Sequence, residues 1–567
     1  SNSYGDWRNS LTFVADDPDR PSEFILQKAV DDIAEDIKAN KPGFNIKKIY
    51  ADAHQQETSA GGERYPTVNE AITNAVETGT LVVDYFGHGG VNGWAEERIL
   101  EVPQIQAWNN FNTLPLFVTV TCEFSRFDNP LKPTAGEYTL WNKNGGAVNM
   151  ISTTREIFIS LGQAFNRDLV GKLFSFNDET YTISEALMYS KHNFTSAQRF
   201  FIYDFGDPAM KLAQPKPNII ITKINDKDII QTKDTLKALS HIKLEGVITD
   251  KNNQIINDYN GTLSTIIYDK ALDKTTLDNN NFGKKMEFTS IESKIFRGKA
   301  SVTNGAFTFD FIVPKDIRIA YGNAKISLYG NDNSTDKWGY NLDVTIGGIN
   351  TNAEEDVEGP VINLFMNDES FVDGGNTSGS PLLFAVLEDH SGINTSITAV
   401  DHDIIAILDD DNANPIVLND YYETELDNFQ KGSVKFPLRN LKTGLHHLTF
   451  KCWDTYNNPS ESTLSFVVVD DNDLVLSNVL NYPNPFINYT EFWFNHNKPN
   501  ESLEVMVQIY TVSGKLVKTL HQSVKSDGLL SREITWNGLD DFGNKIGKGV
   551  YVYKLQVKSL LSNARAE

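Results

Sequence analysis

The 567-residue sequence is poor in cysteine, with only Cys122 and Cys452. Two thiols can build neither a disulfide scaffold nor a zinc site with several thiolate ligands. No apolar run reaches the roughly 18 residues that a membrane-spanning helix requires. Positive charge is also scarce, because 51 Lys and Arg residues stand against 75 Asp and Glu, for a net charge of -24. This charge disfavours binding to nucleic acid, and any cysteine with a function must act singly.

The rest of the composition is typical of a folded protein with several domains. Hydrophobic residues make up 40% of the chain, and its length corresponds to about three to five domains. Up to residue 213, short apolar runs alternate with segments of helical periodicity, which indicates βαβ units around a mostly parallel sheet. Two prolines within residues 214–217 end this pattern, and strand-like alternation follows. The sequence therefore predicts an α/β domain and then three all-β sandwich domains, at residues 1–213, 218–355, 356–471 and 472–567.

Two polar residues follow neighbouring predicted strands of the α/β domain. The strand at residues 81–86 leads to His88, and the strand at residues 117–121 leads to Cys122. Open α/β sheets bind their ligands at the carboxyl ends of parallel strands, so both side chains are expected in one crevice. A cysteine attacks as its thiolate, and an imidazole is a common proton acceptor for it. The pattern favours a nucleophilic Cys122 with His88 as its base.

The glycines around His88 add a candidate oxyanion hole, formed by the backbone N–H groups of Gly89 and Cys122. A third catalytic residue would be an acid upstream of His88, and Asp52 and Asp84 are the candidates. A structural interpretation stays open, because free cysteine is often buried and a histidine at a strand end can simply satisfy a loop carbonyl. Cys452 lies on a predicted sandwich strand, where core packing is favoured.

Metal and cofactor sites have little support in the sequence. The acidic run at residues 409–411 lacks the glycine and glutamate of a calcium-binding loop, so a solvated turn is favoured there. We therefore predict no cofactor and no metal site, with a calcium requirement left open.

Four segments in chain order resemble the landmarks of gingipain-type cysteine peptidases. They are YFGHGG at residues 85–90, VTVTCEF at 118–124, ISTT at 151–154 and FGDP at 205–208. The resemblance implies a caspase-like fold for the α/β domain. It also implies a pocket for the residue before the cleaved bond, lined by Ser152, Thr153, Thr154 and Arg155. Arg155 departs from the gingipain pattern, so specificity for arginine or lysine is not carried over.

Within the family, residues 89–98 and 124–128 are most similar to the peptidase that removes sorting domains in the bacterial type IX secretion system. The segments at residues 483–486, 536–538 and 549–551 resemble the FlgD-like sandwich that ends the cargo of that system. The resemblance implies cleavage of C-terminal sorting domains and sortase-like transfer of the new C-terminus to an amine on anionic lipopolysaccharide. It places the protein on the outer face of the bacterial outer membrane, with a partner from the secretion system.

Two other functions stay open at this point. One is a secreted digestive cysteine peptidase, which shares the chemistry but acts on other substrates. The other is a non-enzymatic cell-surface scaffold with an inactive peptidase domain. By the family pattern the chain begins inside the catalytic region, so we expect the first caspase-like subdomain to be missing.

Overall fold

The structure is a computed structural model that describes residues 3–59, 62–229, 234–399, 401–469, 474–498, 501–525 and 528–567. The chain divides into two compact units. The first holds Ser1–Glu354 with Ser396–Thr398 and Leu426–Phe429, and the second holds the remainder. In the described part of the chain, no helix is both long and apolar enough to cross a membrane.

The first unit begins with a six-stranded sheet. Its strands are β1 Ser10–Ala15, β2 Asn45–Tyr50, β3 Val82–Phe86, β4 Leu116–Thr119, β5 Asn149–Thr153 and β6 Ile202–Phe205. They lie in the order β6-β5-β4-β3-β1-β2. All neighbouring pairs are parallel except β5 and β6, which are antiparallel. This is a parallel sheet with one antiparallel edge strand.

Helices pack on both faces of this sheet. They are α1 Ile25–Asn40, α2 Pro66–Thr78, α3 Val102–Ala107, α4 Ala135–Trp141, α5 Ile159–Leu173 and α6 Ile183–Asn193. Phe13 of β1 packs in one core with residues of α1, α5 and α6, whereas the adjacent Val14 packs in another with residues of α2, α3 and α4. Successive strand residues point to opposite faces, so one apolar run supplies both cores.

The rest of the first unit is β-structure. A nine-stranded sheet runs in the order Lys216–Pro217, Asp336–Asn341, Lys325–Asn331, Gly261–Tyr268, Lys294–Thr303, Ala306–Ile312, His241–Ile248, Ile219–Ile224 and Lys227–Asp228. A three-stranded sheet holds Thr235–Ala238, Thr345–Ile349 and Gly322–Asn323. Alternating residues of these strands form one apolar core.

The second unit consists of two pairs of sheets, each with its own core. The first pair holds Val361–Met366, Leu382–Glu388, Asn428–Pro437 and Tyr422–Glu425, and then Asn376–Thr377, Pro459–Val468, Gly444–Trp453, Ile405–Leu408 and Ile416–Val417. The second pair holds Leu476–Tyr482, Thr490–His496 and Leu530–Trp536, and then Leu516–Lys525, Ser502–Thr511, Tyr551–Ser559 and Arg565–Ala566. The predicted fold class, an α/β domain followed by all-β domains, is confirmed.

Candidate active site

His88 and Cys122 lie at the same level on the carboxyl edge of the sheet. The register of β3 and β4 pairs Tyr85 with Thr119, and these residues come three positions before His88 and Cys122 respectively. Because both strands are parallel and end at this edge, their loops leave the sheet side by side. The structure therefore brings the predicted base and the predicted nucleophile to one rim.

A direct contact joins the two loops. Thr121 Oγ1 donates a hydrogen bond of 2.6 Å to the carbonyl oxygen of Gly87. A Cβ atom added to Gly89 would lie 2.6 Å from the same hydroxyl oxygen, so only glycine allows this close approach. The backbone of Gly89, a predicted oxyanion donor, is thereby held against the residue that precedes Cys122.

The backbone of His88 is fixed by three partners. Its N–H donates to Asp16 Oδ2 at 2.6 Å, and its carbonyl accepts from the N–H of Ala95 and the hydroxyl of Tyr85. The Tyr85 ring is stacked on Trp94 with 4.2 Å between ring centroids. Buried aromatic packing therefore supports the loop that carries the imidazole.

The His88 ring faces two acids that sequence reasoning missed. Its Nε2 atom lies 3.4 Å from Glu23 Oε1 and 3.9 Å from Asp19 Oδ2. Both acids follow the carboxyl end of β1, which is the neighbour of β3 in the sheet. Their position in the loop after β1, the strand beside β3, is the sequence signal that could have identified them.

The acids predicted as partners of His88 have other partners. Asp52 accepts hydrogen bonds from the backbone N–H groups of Asp278 and Asn279, at 3.2 and 2.9 Å. Asp84 accepts from Asn166 Nδ2 at 2.7 Å, and burial raises the pKa of this carboxyl to about 7. Neither makes an ion pair with the His88 ring in the described part of the chain.

Cys122 is half-buried. Burial raises the pKa of this thiol, and the negative charges of Glu156 and Glu123 raise it further, whereas a hydrogen bond from the Ile157 N–H lowers it. Among the described residues, no hydrogen bond joins Cys122 Sγ to the His88 ring.

The predicted substrate-pocket residues lie at and just beyond the end of β5. Ser152 and Thr153 are buried and support the loops around Cys122, since Ser152 Oγ accepts from Ser125 Oγ at 2.8 Å and Thr153 Oγ1 donates to the Thr121 carbonyl. Thr154 donates its N–H to the Phe201 carbonyl. Arg155, which is partly exposed, pairs with Asp128. Lining of the pocket by these four residues stays a prediction.

Among the residues that the structure describes, three groups of side chains bring oxygen or nitrogen ligands close enough together to hold a metal ion. They are Asp19, Glu23 and His88; Asp16, Asp17 and Glu97; and Asp356, Asp389 and Asp454. In the second group, burial raises the pKa of Asp17 to about 6 and that of Glu97 to about 8. Repulsion among the acids acts in the same direction.

Comparison with known proteins gives one family match and several similar structures. Residues 1–213 match the model of peptidase family C25. No curated protein matches the chain in sequence. Similar solved structures include dimeric latent PorU from Porphyromonas gingivalis, with 26% identity over 74% of this chain and 40% of that chain, at a TM-score of 0.31.

Two gingipain structures are also similar. The Arg-specific cysteine proteinase gingipain R is 15% identical over 60% of this chain and 67% of that one, at a TM-score of 0.32. The complex of the RgpB pro- and mature domains from Porphyromonas gingivalis is 14% identical over 60% of this chain and 69% of that one, at a TM-score of 0.31. The chain spans 40% of the length of the PorU chain that it resembles. Residues 1–213 of this chain therefore match peptidase family C25, in agreement with the gingipain-type motifs.

Proposed function

We propose that this chain is a cysteine endopeptidase in which Cys122 is the nucleophile and His88 the general acid and base. The observation that carries the proposal is the matched position of the two residues beyond the paired strands β3 and β4. The hydrogen bond from Thr121 to Gly87 holds their loops together. Such a constellation is recognised by geometry and by roles rather than by order in the chain.

The acids beside the ring define which imidazole nitrogen acts. Glu23 Oε1 lies 3.4 Å from Nε2, and we assign the role of base to the other ring nitrogen, Nδ1. Nδ1 takes the thiol proton as Sγ attacks the scissile carbonyl, and the N–H groups of Gly89 and Cys122 stabilise the oxyanion. As the tetrahedral intermediate collapses to a thioester, the imidazolium returns the proton to the departing amine.

The substrate we propose is a secreted protein with a C-terminal sorting domain. An amine on anionic lipopolysaccharide would then attack the thioester, form an amide with the new C-terminus and release the thiol. The motifs at residues 89–98 and 124–128 support this reading, as do the three segments of the C-terminal region that resemble FlgD-like sandwiches. The proposed location is the outer face of the bacterial outer membrane, beside a secretion-system partner.

The test is processing of a cargo protein that carries a sorting domain, followed by mass measurement of the product. We expect Cys122→Ala to abolish processing and Cys452→Ala to retain it, since Cys452 is buried in a sandwich core of the second unit. A product mass that includes the amine acceptor supports transfer. A product with a free C-terminus would instead indicate a peptidase that hydrolyses its substrate, as a digestive enzyme does. Unchanged processing by Cys122→Ala would contradict the peptidase proposal and favour a non-enzymatic scaffold.

A further inference from the structure

Three buried acids lie directly behind the loop that carries His88. Asp16 and Asp17 follow the last residue of β1, and Glu97 lies in the segment after the short strand Gly93–Trp94. Their side chains are among the most buried charged groups of the chain, with exposures of 1%, 1% and 3%. Carboxylates are almost never so deeply buried unless a cation or a set of donors compensates for the lost water.

The described part of the chain supplies no cation to this cluster. In the described ranges, no lysine, arginine or histidine makes an ion pair with Asp16, Asp17 or Glu97. Each of the three also has one buried oxygen that accepts no hydrogen bond: Oδ1 of Asp16, Oδ1 of Asp17 and Oε2 of Glu97. The donors that do reach the cluster are neutral, and they include the Tyr65 hydroxyl and Asn280 Nδ2, at 2.9 and 3.1 Å from Asp17 Oδ2.

The spacing of the three carboxylates suits one calcium ion. One oxygen from each residue lies within 4.8 Å of an oxygen from the other two. Calcium binds oxygen at about 2.3 to 2.6 Å, so two oxygens on one ion can be separated by up to about 5 Å. A set made only of oxygen donors selects a hard cation over zinc or copper.

We propose that Asp16, Asp17 and Glu97 bind one Ca²⁺ ion, which fixes the end of β1 to the loop of His88. Asp16 is the link, because its Oδ2 atom also accepts the His88 N–H at 2.6 Å. The site is separate from the peptide-cleaving groups and goes beyond the proposed function. It departs from the sequence-based prediction of no metal site, because the three acids come from segments about 80 residues apart.

The first test counts bound calcium. The full chain, freed of metal with a chelator, is titrated with CaCl₂ by isothermal calorimetry, together with Glu97→Gln and Glu96→Gln. Glu96 is the exposed neighbour of Glu97, so its variant makes the same change in charge without touching the cluster. We expect Glu97→Gln to bind one Ca²⁺ fewer than the unaltered chain, and Glu96→Gln to bind the same number. Equal numbers in all three proteins would overturn the proposal.

The second test measures thermal unfolding of the first unit with chelator and with calcium. Without metal, Glu97→Gln replaces a buried acid that lies beside two others with a neutral amide and removes the cost of burying it, so it should unfold at a higher temperature than the unaltered chain, by about 3 °C or more. With calcium the order should reverse. A variant that is more stable in both conditions would show that the acids are simply protonated and hold no ion. Asp17→Asn serves as the second variant if Glu97→Gln fails to fold, with the same reversal expected.

Discussion

Glu23 has no hydrogen-bond partner for its buried Oε2 atom, while its Oε1 atom faces His88 Nε2 at 3.4 Å. In the proposed mechanism, Glu23 is a positioning residue, which would act on substrate through the imidazole ring. We expect Glu23→Gln to lower kcat by about 10- to 100-fold and to leave KM within about twofold.

Asp19→Asn is the matched control for Glu23→Gln, because Asp19 lies further from the ring, at 3.9 Å. Its effect on kcat should be smaller. Steady-state kinetics on a cleavable peptide measures both variants. A rise in KM with unchanged kcat would show that Glu23 serves substrate binding instead.

Asp84 provides a prediction on stability and pH. Burial raises the pKa of its carboxyl from 3.8 to about 7 in the folded chain. Between about pH 4 and pH 7 the unfolded chain therefore holds fewer protons than the folded chain, so this group makes stability fall as pH rises. Asp84→Asn should remove that loss and raise the free energy of unfolding at pH 8 by about 2 to 4 kcal/mol.

Denaturant unfolding at pH 5 and pH 8 measures the effect of Asp84→Asn. The Oδ1 atom of Asn166 accepts no hydrogen bond in the structure, so the new amide has an acceptor beside it. We expect a small change at pH 5 and a large gain at pH 8. An equal change at both pH values would contradict the assignment of the effect to a buried charge.

Single-residue predictions from the sequence depended on the position of strand ends. His88 and Cys122 could be placed together because each follows a clearly apolar strand of a parallel sheet. Asp52 and Asp84 were predicted only as acids upstream of His88, and that position does not say which way a side chain points. Asp84 lies inside β3 and faces Asn166 of α5, whereas Glu23 lies beyond the end of β1, in the loop before α1.

Helix α4 begins with a capping box that lies next to the nucleophile loop. The Thr134 side chain accepts from the Glu137 N–H, and the Glu137 carboxylate accepts from the Thr134 N–H at 2.8 Å. The first turn of the helix also donates the Gly136 N–H to the carbonyl of Phe124, two residues after Cys122. We expect Thr134→Ala to cost about 1 kcal/mol of stability and to lower kcat.

The control for Thr134→Ala is Thr182→Ala, which removes the same type of cap from α6. Thr182 is only partly buried and its helix has no hydrogen bond to the Cys122 loop in the described residues. Both variants should lose similar stability in thermal unfolding, but only Thr134→Ala should lose peptidase activity. Equal kinetic losses would show that activity follows global stability alone.

At the scale of elements, periodicity predicted the central strands well and their ends less well. The strand predicted at residues 117–121 is β4, Leu116–Thr119, so Val120 and Thr121 belong to the loop. Thr121 leaves the ladder because its hydroxyl bonds to the Gly87 carbonyl. Such a side-chain contact between two loops has no periodic signature, and a one-dimensional pattern cannot show it.

The whole molecule carries a net charge of -24, which opposes the approach of an anionic acyl acceptor. If lipopolysaccharide supplies the amine, we expect transfer to be faster at 0.3 M than at 0.05 M salt, by about two- to fivefold, because salt screens the repulsion. The rate of transfer to a small uncharged amine such as hydroxylamine should depend little on the salt concentration. Mass spectrometry of both products gives the rates, and slower transfer to the anionic acceptor at high salt would contradict this electrostatic picture.

The unequal burial of the two sulfur atoms has a practical consequence. Cys452 is fully enclosed in a sandwich core, whereas Cys122 is partly open to solvent. A single maleimide dye added to the folded protein should therefore attach at one known place, without mutagenesis. The ratio of dye to chain would then give the fraction of molecules in a preparation whose Cys122 is accessible.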